Sequence, residues 1–361
     1  MRQRSALRKF LKTGAKHLHL AWHDSLQNRL FARADQRFLV VRHPGKTPFF
    51  YDIVLHWLEQ NFPKVRALFE LHTIPFRIRP NSRYLLQIPW LQDPVQNWSQ
   101  AAYRQANELA AQCDMLGIPV INRVDRLTSA AKSTGARLIG SVGIRTPKTA
   151  LIHDVLEFRE THGGLELPLL VRENWGHGGL VCRANTRAEF QQLPLEQFTR
   201  PVAIELIEVQ SQHDGLYRKY RYIAAGDWGI PQSMHVSKGW KVKGTESIET
   251  AALRDEEITY TNLADPNHEL LQTARKALGL DFVAFDYSYD REGRMVVWEA
   301  NPYPYIHFPS NRRSYRQPAI IRTLAGMINL YLRRAALAVP REINDLLETL
   351  PSASLPARIA A

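Results

Sequence analysis

Two acidic residues and an amide in the C-terminal half of the chain have the types and spacing of a metal site. Asp286 interrupts an otherwise apolar run, and Glu299 and Asn301 lie two positions apart near the end of the next such run. Carboxylate and amide oxygens are the ligands that hard cations such as Mg²⁺ prefer. Acidic residues at strand ends are also commonly only solvated, so the residue types alone leave both interpretations open.

The flanking sequence predicts that these residues meet on a β-hairpin. Residues 282–289 and 294–300 read as two strands joined by a short turn that contains glycine. Residues two apart on a strand project from the same face, so Glu299 and Asn301 share a face. Pairing through so short a turn brings Asp286 close to both of them.

The pattern Asp-x12-Glu-x-Asn-x-x-Pro is far more restrictive than the carboxylates alone. It resembles the metal-binding hairpin of the ATP-grasp superfamily, which includes D-alanine–D-alanine ligase and glutathione synthetase. The resemblance implies that Asp286, Glu299 and Asn301 hold Mg²⁺, with Mn²⁺ as an alternative, against the phosphates of ATP. The superfamily often has a basic residue two positions before the aspartate, where this chain has Ala284.

A glycine-rich stretch between two strand-like runs is the second candidate. Glycines let backbone N–H groups approach phosphate oxygens, although a generic glycine-rich hairpin has the same composition. In the superfamily the preceding strand ends in a lysine that reaches ATP, and Arg172 takes that place here with its charge but not its ammonium geometry. The loop residues implied to bind nucleotide are Gly176, His177, Gly178 and Gly179.

Further stretches match the superfamily in its order along the chain. Lys132, on a predicted helix, resembles a lysine that contacts an ATP phosphate, although a surface lysine would read the same way. An apolar run ending near residue 208 resembles the hinge that pairs with adenine, with a mixed surface strand as the alternative. The implied hinge residues are Glu205, Leu206 and Ile207. For the acid that binds the ribose or the adenine amino group, Glu208 and Asp214 are both candidates.

A basic and aromatic strand at residues 216–226 completes the match. Such interleaving is also found on surfaces that bind nucleic acid. The residue order of this strand resembles more closely the superfamily strand whose arginine contacts phosphate or the developing acyl phosphate. Arg221 matches that arginine. Lys219 stands where the superfamily has an aspartate. Nucleic acid is therefore not the expected partner.

The order of strands and helices predicts the fold class. Strands alternate with helices up to about residue 123, which is typical of a parallel α/β domain closed by a strand at 118–122. With the resemblance, this implies an α/β (α+β) chain with the ATP-grasp fold, in which a parallel α/β domain precedes two α+β subdomains that sandwich ATP. The predicted divisions are a basic segment at 1–33, the α/β domain at 34–123, a central lid subdomain at 124–200, a C-terminal subdomain with the metal site at 201–340, and a tail at 341–361.

The composition is that of a globular protein that attracts anions. Of the 361 residues, 45% are hydrophobic and 23% are charged, and the formal net charge is +12. Cys113 and Cys182 lack the spacing of a metal or redox site and fit a reducing compartment, so a cytoplasmic location is expected. No apolar run has the length needed to cross a bilayer.

Three regions have open roles. The basic N-terminal segment has a partial apolar stripe, and a solvated helix is favoured over one that contacts a membrane surface or an acidic partner. The region around His235 can line a pocket or pack in the core. A third group can face an anionic substrate or be solvated: Arg312, Arg313 and Arg316.

The resemblance implies an ATP- and Mg²⁺-dependent ligase that joins the carboxylate and the amine of small molecules or peptides through an acyl phosphate. Arg221 and Arg172 are the expected catalytic residues, because activating a carboxylate requires charge neutralisation. A kinase of anionic small molecules on the same fold and a non-catalytic nucleotide-binding protein are the alternatives.

Overall fold

The computed structural model describes residues 2–44, 51–175, 179–242 and 247–348, with side chains from residue 14 onward. The helices are α1 (Arg2–Phe31), α2 (Asp52–Asn61), α3 (Pro63–Arg66), α4 (Val95–Trp98), α5 (Gln100–Met115), α6 (Lys132–Gly140), α7 (Val155–Thr161), α8 (Arg187–Gln191), α9 (Ala251–Thr261), α10 (His268–Leu278), α11 (Gln317–Arg334) and α12 (Arg341–Glu348). The strands are β1 (Arg37–Arg42), β2 (Phe69–Thr73), β3 (Tyr84–Trp90), β4 (Thr149–Leu151), β5 (Leu169–Glu173), β6 (Val181–Ala184), β7 (Pro201–Glu205), β8 (Tyr217–Ala225), β9 (Trp228–Ser237), β10 (Phe282–Tyr289) and β11 (Met295–Asn301).

These elements form two compact units. Unit 1 comprises Met1–Leu127, Tyr305–His307 and Ile328–Pro340. Unit 2 comprises Thr128–Pro304, Phe308–Met327 and the chain from Arg341 onward. None of the helices in the described ranges is long and apolar enough to cross a membrane.

A three-stranded parallel sheet in the order β2–β1–β3 forms the core of unit 1. Residues 38–41 of β1 are fully buried, as expected for a central parallel strand that is covered on both faces. The parallel α/β prediction is therefore confirmed. The prediction of a strand at 118–122 was wrong: this segment forms only one isolated bridge, from Val120 to Gln87. Pro119 has no N–H to donate, and Asn122 ends the extended run with a φ of 45°.

Unit 2 contains two antiparallel sheets. One has the order β4–β7–β5–β6 and the other the order β11–β10–β8–β9. The predicted hairpin is confirmed as β10 and β11, with Asp286 directly opposite Glu299. Gly279 ends α10 just before it in the left-handed conformation, with a φ of 66° that glycine adopts without strain. The mixed α/β class expected from the sequence is also confirmed.

Candidate functional site

The β10–β11 hairpin brings the three predicted metal-binding residues to one place. Asp286 faces Glu299 across the ladder, and Asn301 is paired with Ala284 two residues along. Opposite residues in an antiparallel ladder have adjacent side chains, so the two carboxylates are neighbours on one face. The amide oxygen of Asn301 accepts a hydrogen bond from the Tyr303 N–H at 2.9 Å, which fixes the amide at the end of β11.

Two cations from β8 hold the Asp286 carboxylate. Arg221 donates from Nε to Oδ1 at 2.7 Å and from its terminal nitrogen to Oδ2 at 3.0 Å. The Lys219 Nζ lies 3.0 Å from the same Oδ2. Burial raises the pKa of Asp286, but Arg221 and Lys219 outweigh it, so the pKa lies below its ordinary value and the carboxylate is ionised.

Two more cations from other elements of unit 2 reach Glu299. Lys132 is the first residue of α6, and its Nζ lies 3.0 Å from Oε1 of Glu299. Arg172 on β5 places a terminal nitrogen 3.7 Å from Oε2. Lys132 is not the surface lysine that the alternative interpretation required, because its side chain is only 3% exposed.

Asn174, which sequence reasoning missed, fixes the start of α6 beside the end of β5. Its Oδ1 accepts from the Ser133 N–H at 2.9 Å. Its backbone carbonyl accepts from the Lys132 N–H at 2.8 Å. These bonds satisfy N–H groups that a helix start leaves without partners, and they hold Lys132 near the strand of Arg172. An asparagine directly after a strand was the visible signal, but its helical partner was not readable from the sequence.

The cluster formed by these side chains has an excess of positive charge. Four cations surround two carboxylates, which leaves a net charge of +2: Lys132, Arg172, Lys219 and Arg221 against Asp286 and Glu299. In the described part of the chain, the Arg172 Nε is buried without a hydrogen-bond partner. Buried donors are nearly always satisfied in folded proteins, so this cluster suits an anionic ligand with several acceptor oxygens.

His235 lies on the same face of the sheet, opposite Lys219 in the β8–β9 ladder. Burial, with the neighbouring charges of Lys219, Arg221 and Arg316, lowers the pKa of His235 to about 3. The imidazole is therefore neutral at pH 7. Its Nδ1 is buried and has no hydrogen-bond partner within the described residues.

Glu257 on α9, also missed from the sequence, holds Arg316 near this face. Its carboxylate accepts from Arg316 at 2.7 Å, from the Tyr315 hydroxyl at 2.8 Å and from the Met234 N–H at 3.1 Å. Of the other two candidate arginines, Arg313 pairs with Glu249, and Arg312 is exposed.

The predicted adenine hinge begins at the end of β7, a strand whose middle residues Val202 and Ala203 are fully buried. Glu205 is the last residue of β7, and its carboxylate accepts from the Lys148 N–H at 2.8 Å. Leu206 is half-buried, and Ile207 packs in a small core with Val296 of β11. The hinge segment is thus tied to the strand that carries Glu299.

The two candidate ribose acids have different partners. Asp214 pairs with Arg218 at 2.7 Å, and that arginine lowers the pKa of Asp214 to about 2 despite partial burial. Glu208 accepts from the Gln210 N–H at 2.9 Å. Asp214 is therefore committed to an ion pair, whereas Glu208 is held by a backbone N–H.

Of the four residues predicted to bind nucleotide in the glycine-rich loop, only one lies within the described residues. Gly176, His177 and Gly178 lie outside the described residues. Gly179 has a φ of 81°, a conformation that favours glycine, and it comes just before β6. β5 and β6 pair in antiparallel register, so the stretch joins neighbouring strands, as predicted.

The donor set fits a hard divalent cation by its chemistry, since it consists of two carboxylates and an amide oxygen. Among the residues that the structure describes, no three His, Cys, Asp or Glu side chains are grouped as a metal site. A cation bound at Asp286 and Glu299 would therefore need oxygen from Asn301 or from a ligand, and both carboxylates already contact protein cations.

Comparisons with known proteins identify the fold. The structure is similar to D-alanine–D-alanine ligase from Bacillus anthracis complexed with ATP, with a TM-score of 0.53 and 15% identity over 86% of this chain and 98% of that one. It is similar to the VanG D-Ala:D-Ser ligase from Enterococcus faecalis, with a TM-score of 0.53 and 15% identity over 83% and 99% of the chains. It is also similar to a RimK domain ATP-grasp protein from Sphaerobacter thermophilus, with a TM-score of 0.51 and 12% identity over 82% and 99%.

Comparison of the sequence alone gives no match: no protein-family model and no curated protein matches it. The similarity to these solved structures establishes that the chain has the ATP-grasp fold. The resemblance drawn from the hairpin motif is thereby confirmed at the level of the fold.

Proposed function

We propose that the chain is an ATP- and Mg²⁺-dependent ligase that joins a carboxylate to an amine through an acyl phosphate. One observation carries the proposal: in an ATP-grasp fold, the Asp286–Glu299 pair lies among cations from three separate elements, α6, β5 and β8. A cluster with that charge is suited to a triphosphate.

Each side chain of the cluster has a role in this proposal. Lys132 and Arg172 bind ATP phosphates, exchanging the Glu299 carboxylate for phosphate oxygens when nucleotide enters. The buried Nε of Arg172, which has no partner within the described residues, gains an acceptor in that exchange. Asp286, Glu299 and Asn301 would hold Mg²⁺, which would supply positive charge to shield the phosphates and polarise the phosphoryl group.

Arg221 stabilises the phosphoryl group during its transfer. A carboxylate is a poor electrophile at neutral pH, so it must first attack the γ-phosphorus of ATP, which gives an acyl phosphate and ADP. The amine then displaces phosphate and forms the new C–N bond. The protein contributes orientation and charge neutralisation, and Arg221 is held for this by two hydrogen bonds to Asp286.

The adenine end of the nucleotide is proposed to lie along the segment that follows β7. The backbone of Glu205, Leu206 and Ile207 pairs with the adenine edge, and Gly179 binds the phosphates. Glu208 binds the ribose, because Asp214 is already paired with Arg218 at 2.7 Å.

Nucleotide binding and turnover test the proposal separately. ATP binding is measured by isothermal titration calorimetry, and turnover by ADP release with pooled amino acids, peptides and small acids. With Mg²⁺ present, Glu299→Gln should weaken ATP binding and abolish turnover, whereas Glu292→Gln, the same change in the exposed turn of the same hairpin, should alter neither.

Isotope transfer then identifies the reaction. A ligase moves ¹⁸O from the labelled carboxylate into released phosphate, and a kinase does not. A chain that binds no ATP, or one in which Glu299→Gln leaves binding unchanged and no acceptor supports turnover, would refute the proposal.

A further inference from the structure

An apolar stripe runs along the outer face of α1. It consists of four large side chains at intervals of four residues, with exposures of 75%, 65%, 39% and 48%: Leu18, Trp22, Leu26 and Leu30. Exposing one such residue is ordinary in a soluble protein, but a row of four on one helix marks an interaction surface.

The opposite face of α1 is fixed to unit 1 by specific contacts. Leu20 and Asp24 are buried, at 4% and 2% exposure. The Asp24 carboxylate pairs with Arg42 and accepts from the Thr73 hydroxyl at 2.9 Å. At about 100° per residue, the centre of this face lies about 160° from the centre of the stripe, so the stripe cannot turn inward without breaking these bonds.

The charge on α1 is almost entirely positive. The helix contains seven Lys or Arg residues, and Asp24, its one acidic residue, is buried in an ion pair. Lys16 and Arg29 are both exposed. At about 100° per residue, Arg29 lies within the arc that the stripe covers and Lys16 lies about 40° outside it. An apolar face bordered by bases is complementary to a lipid surface that carries negative charge.

The spacing argues against a second copy of the chain as the occupant. A two-stranded coiled coil needs apolar residues at alternating steps of three and four. The positions that continue such a pattern after Leu18 and Trp22 are Ser25 and Arg29, both exposed and polar. A constant step of four instead spreads the stripe over about 120° of the helix, which suits a flat surface better than a narrow seam.

We propose that α1 docks this protein on anionic lipid bilayers, with Leu18, Trp22, Leu26 and Leu30 inserted among the headgroups and Lys16 and Arg29 facing lipid phosphates. This inference goes beyond the proposed ligase activity and does not depend on it. Docking lies in the interface plane and needs no membrane-spanning helix.

Vesicle co-sedimentation of the full chain tests the proposal. Vesicles of equal parts phosphatidylcholine and phosphatidylglycerol should bind the protein, and vesicles of pure phosphatidylcholine should bind it much more weakly. The double variant Leu18→Gln/Trp22→Gln should lose about tenfold or more in binding to the anionic vesicles, because two large apolar side chains no longer enter the interface. Glutamine is a good helix former, and both sites are exposed, so the helix is retained.

A matched pair of exposed apolar residues provides the control. Met115→Gln/Leu116→Gln removes two side chains with exposures of 79% and 57% from the end of α5 in the same unit, and it should leave vesicle binding unchanged. Lys16→Gln/Arg29→Gln should lower binding to anionic vesicles by about fivefold for each charge and reduce its sensitivity to salt.

Three results would overturn the proposal. The first is no binding to either vesicle. The second is equal loss from the α5 control pair, which would make the stripe nonspecific. The third is a change from dimer to monomer in Leu18→Gln/Trp22→Gln, by light scattering, with vesicle binding unaltered, since the stripe would then hold a second copy.

Discussion

The ion pairs of Asp286 provide a test of the site that needs no ligand. Asp286→Asn removes the carboxylate that holds both Lys219 and Arg221, whose side chains are 17% and 19% exposed. Removing one partner of a fully buried pair costs about 3–5 kcal/mol, and an exposed pair is worth about 0–1 kcal/mol. For this partly buried triad we expect a loss of about 2–3 kcal/mol in the free energy of unfolding.

Lys219→Met should have opposite effects in two backgrounds. In the natural chain it leaves Asp286 with its two hydrogen bonds from Arg221, so the loss should be about 1 kcal/mol or less. In the Asp286→Asn background the same change removes an unpaired cation, and about 1 kcal/mol should return. The coupling energy in the double-mutant cycle is then about 1–2 kcal/mol.

Urea unfolding, followed by tryptophan fluorescence, measures the four proteins of the cycle. Lys238→Met, at an exposed site just after β9, is the control and should show no coupling to Asp286→Asn. If Lys219→Met costs the same in both backgrounds, the ammonium and the carboxylate do not interact. The charge balance inferred for the site would then be incorrect.

Three further predictions follow from the same sheet. Lys219→Met should weaken ATP binding about tenfold when EDTA removes divalent cations and less when Mg²⁺ is present, measured by calorimetry, because one fixed positive charge is lost from the cluster. His235 has its pKa lowered from 6.5 to about 3, so the unfolded chain binds its proton first and the natural protein loses stability as pH falls through that window. His235→Asn should reduce that loss by up to about 1.4 kcal/mol per pH unit, seen in urea unfolding at a series of pH values. Gly229→Ala places a methyl group against the buried Tyr222 hydroxyl and its hydrogen-bond partner His268, so it should lower the free energy of unfolding by about 1–3 kcal/mol. Gly239→Ala places its methyl group in open space and should leave the free energy of unfolding unchanged in the same assay.

Local pattern was enough to predict the hairpin and the fold class. The apolar run of β10, the short turn and the two-residue period of β11 placed Asp286 beside Glu299, because register in a hairpin is fixed by the turn. Each of these features depends on residues that are near one another in the sequence.

The partners of the site residues depend on residues that are distant in the sequence. Lys132 reaches Glu299 only because Asn174 joins α6 to the end of β5, and Glu257 reaches Arg316 only through the packing of α9. The spacing of residues in the sequence does not predict contacts between elements that are distant along the chain. The roles assigned to these side chains in ATP binding and catalysis remain predictions.

Asn28 has a consequence for how the protein avoids self-association. β2 is an edge strand, and the Asn28 side chain accepts from the Leu71 N–H at 2.7 Å and donates to the Leu71 carbonyl at 2.8 Å, as a neighbouring strand would. Uncovered edge strands template pairing with other chains. If α1 moved away from unit 1, the edge of β2 would therefore be exposed and could pair with strands of other chains in an amyloid-like aggregate. Asn28→Leu would remove the two hydrogen bonds that cover this edge and leave the helix itself intact.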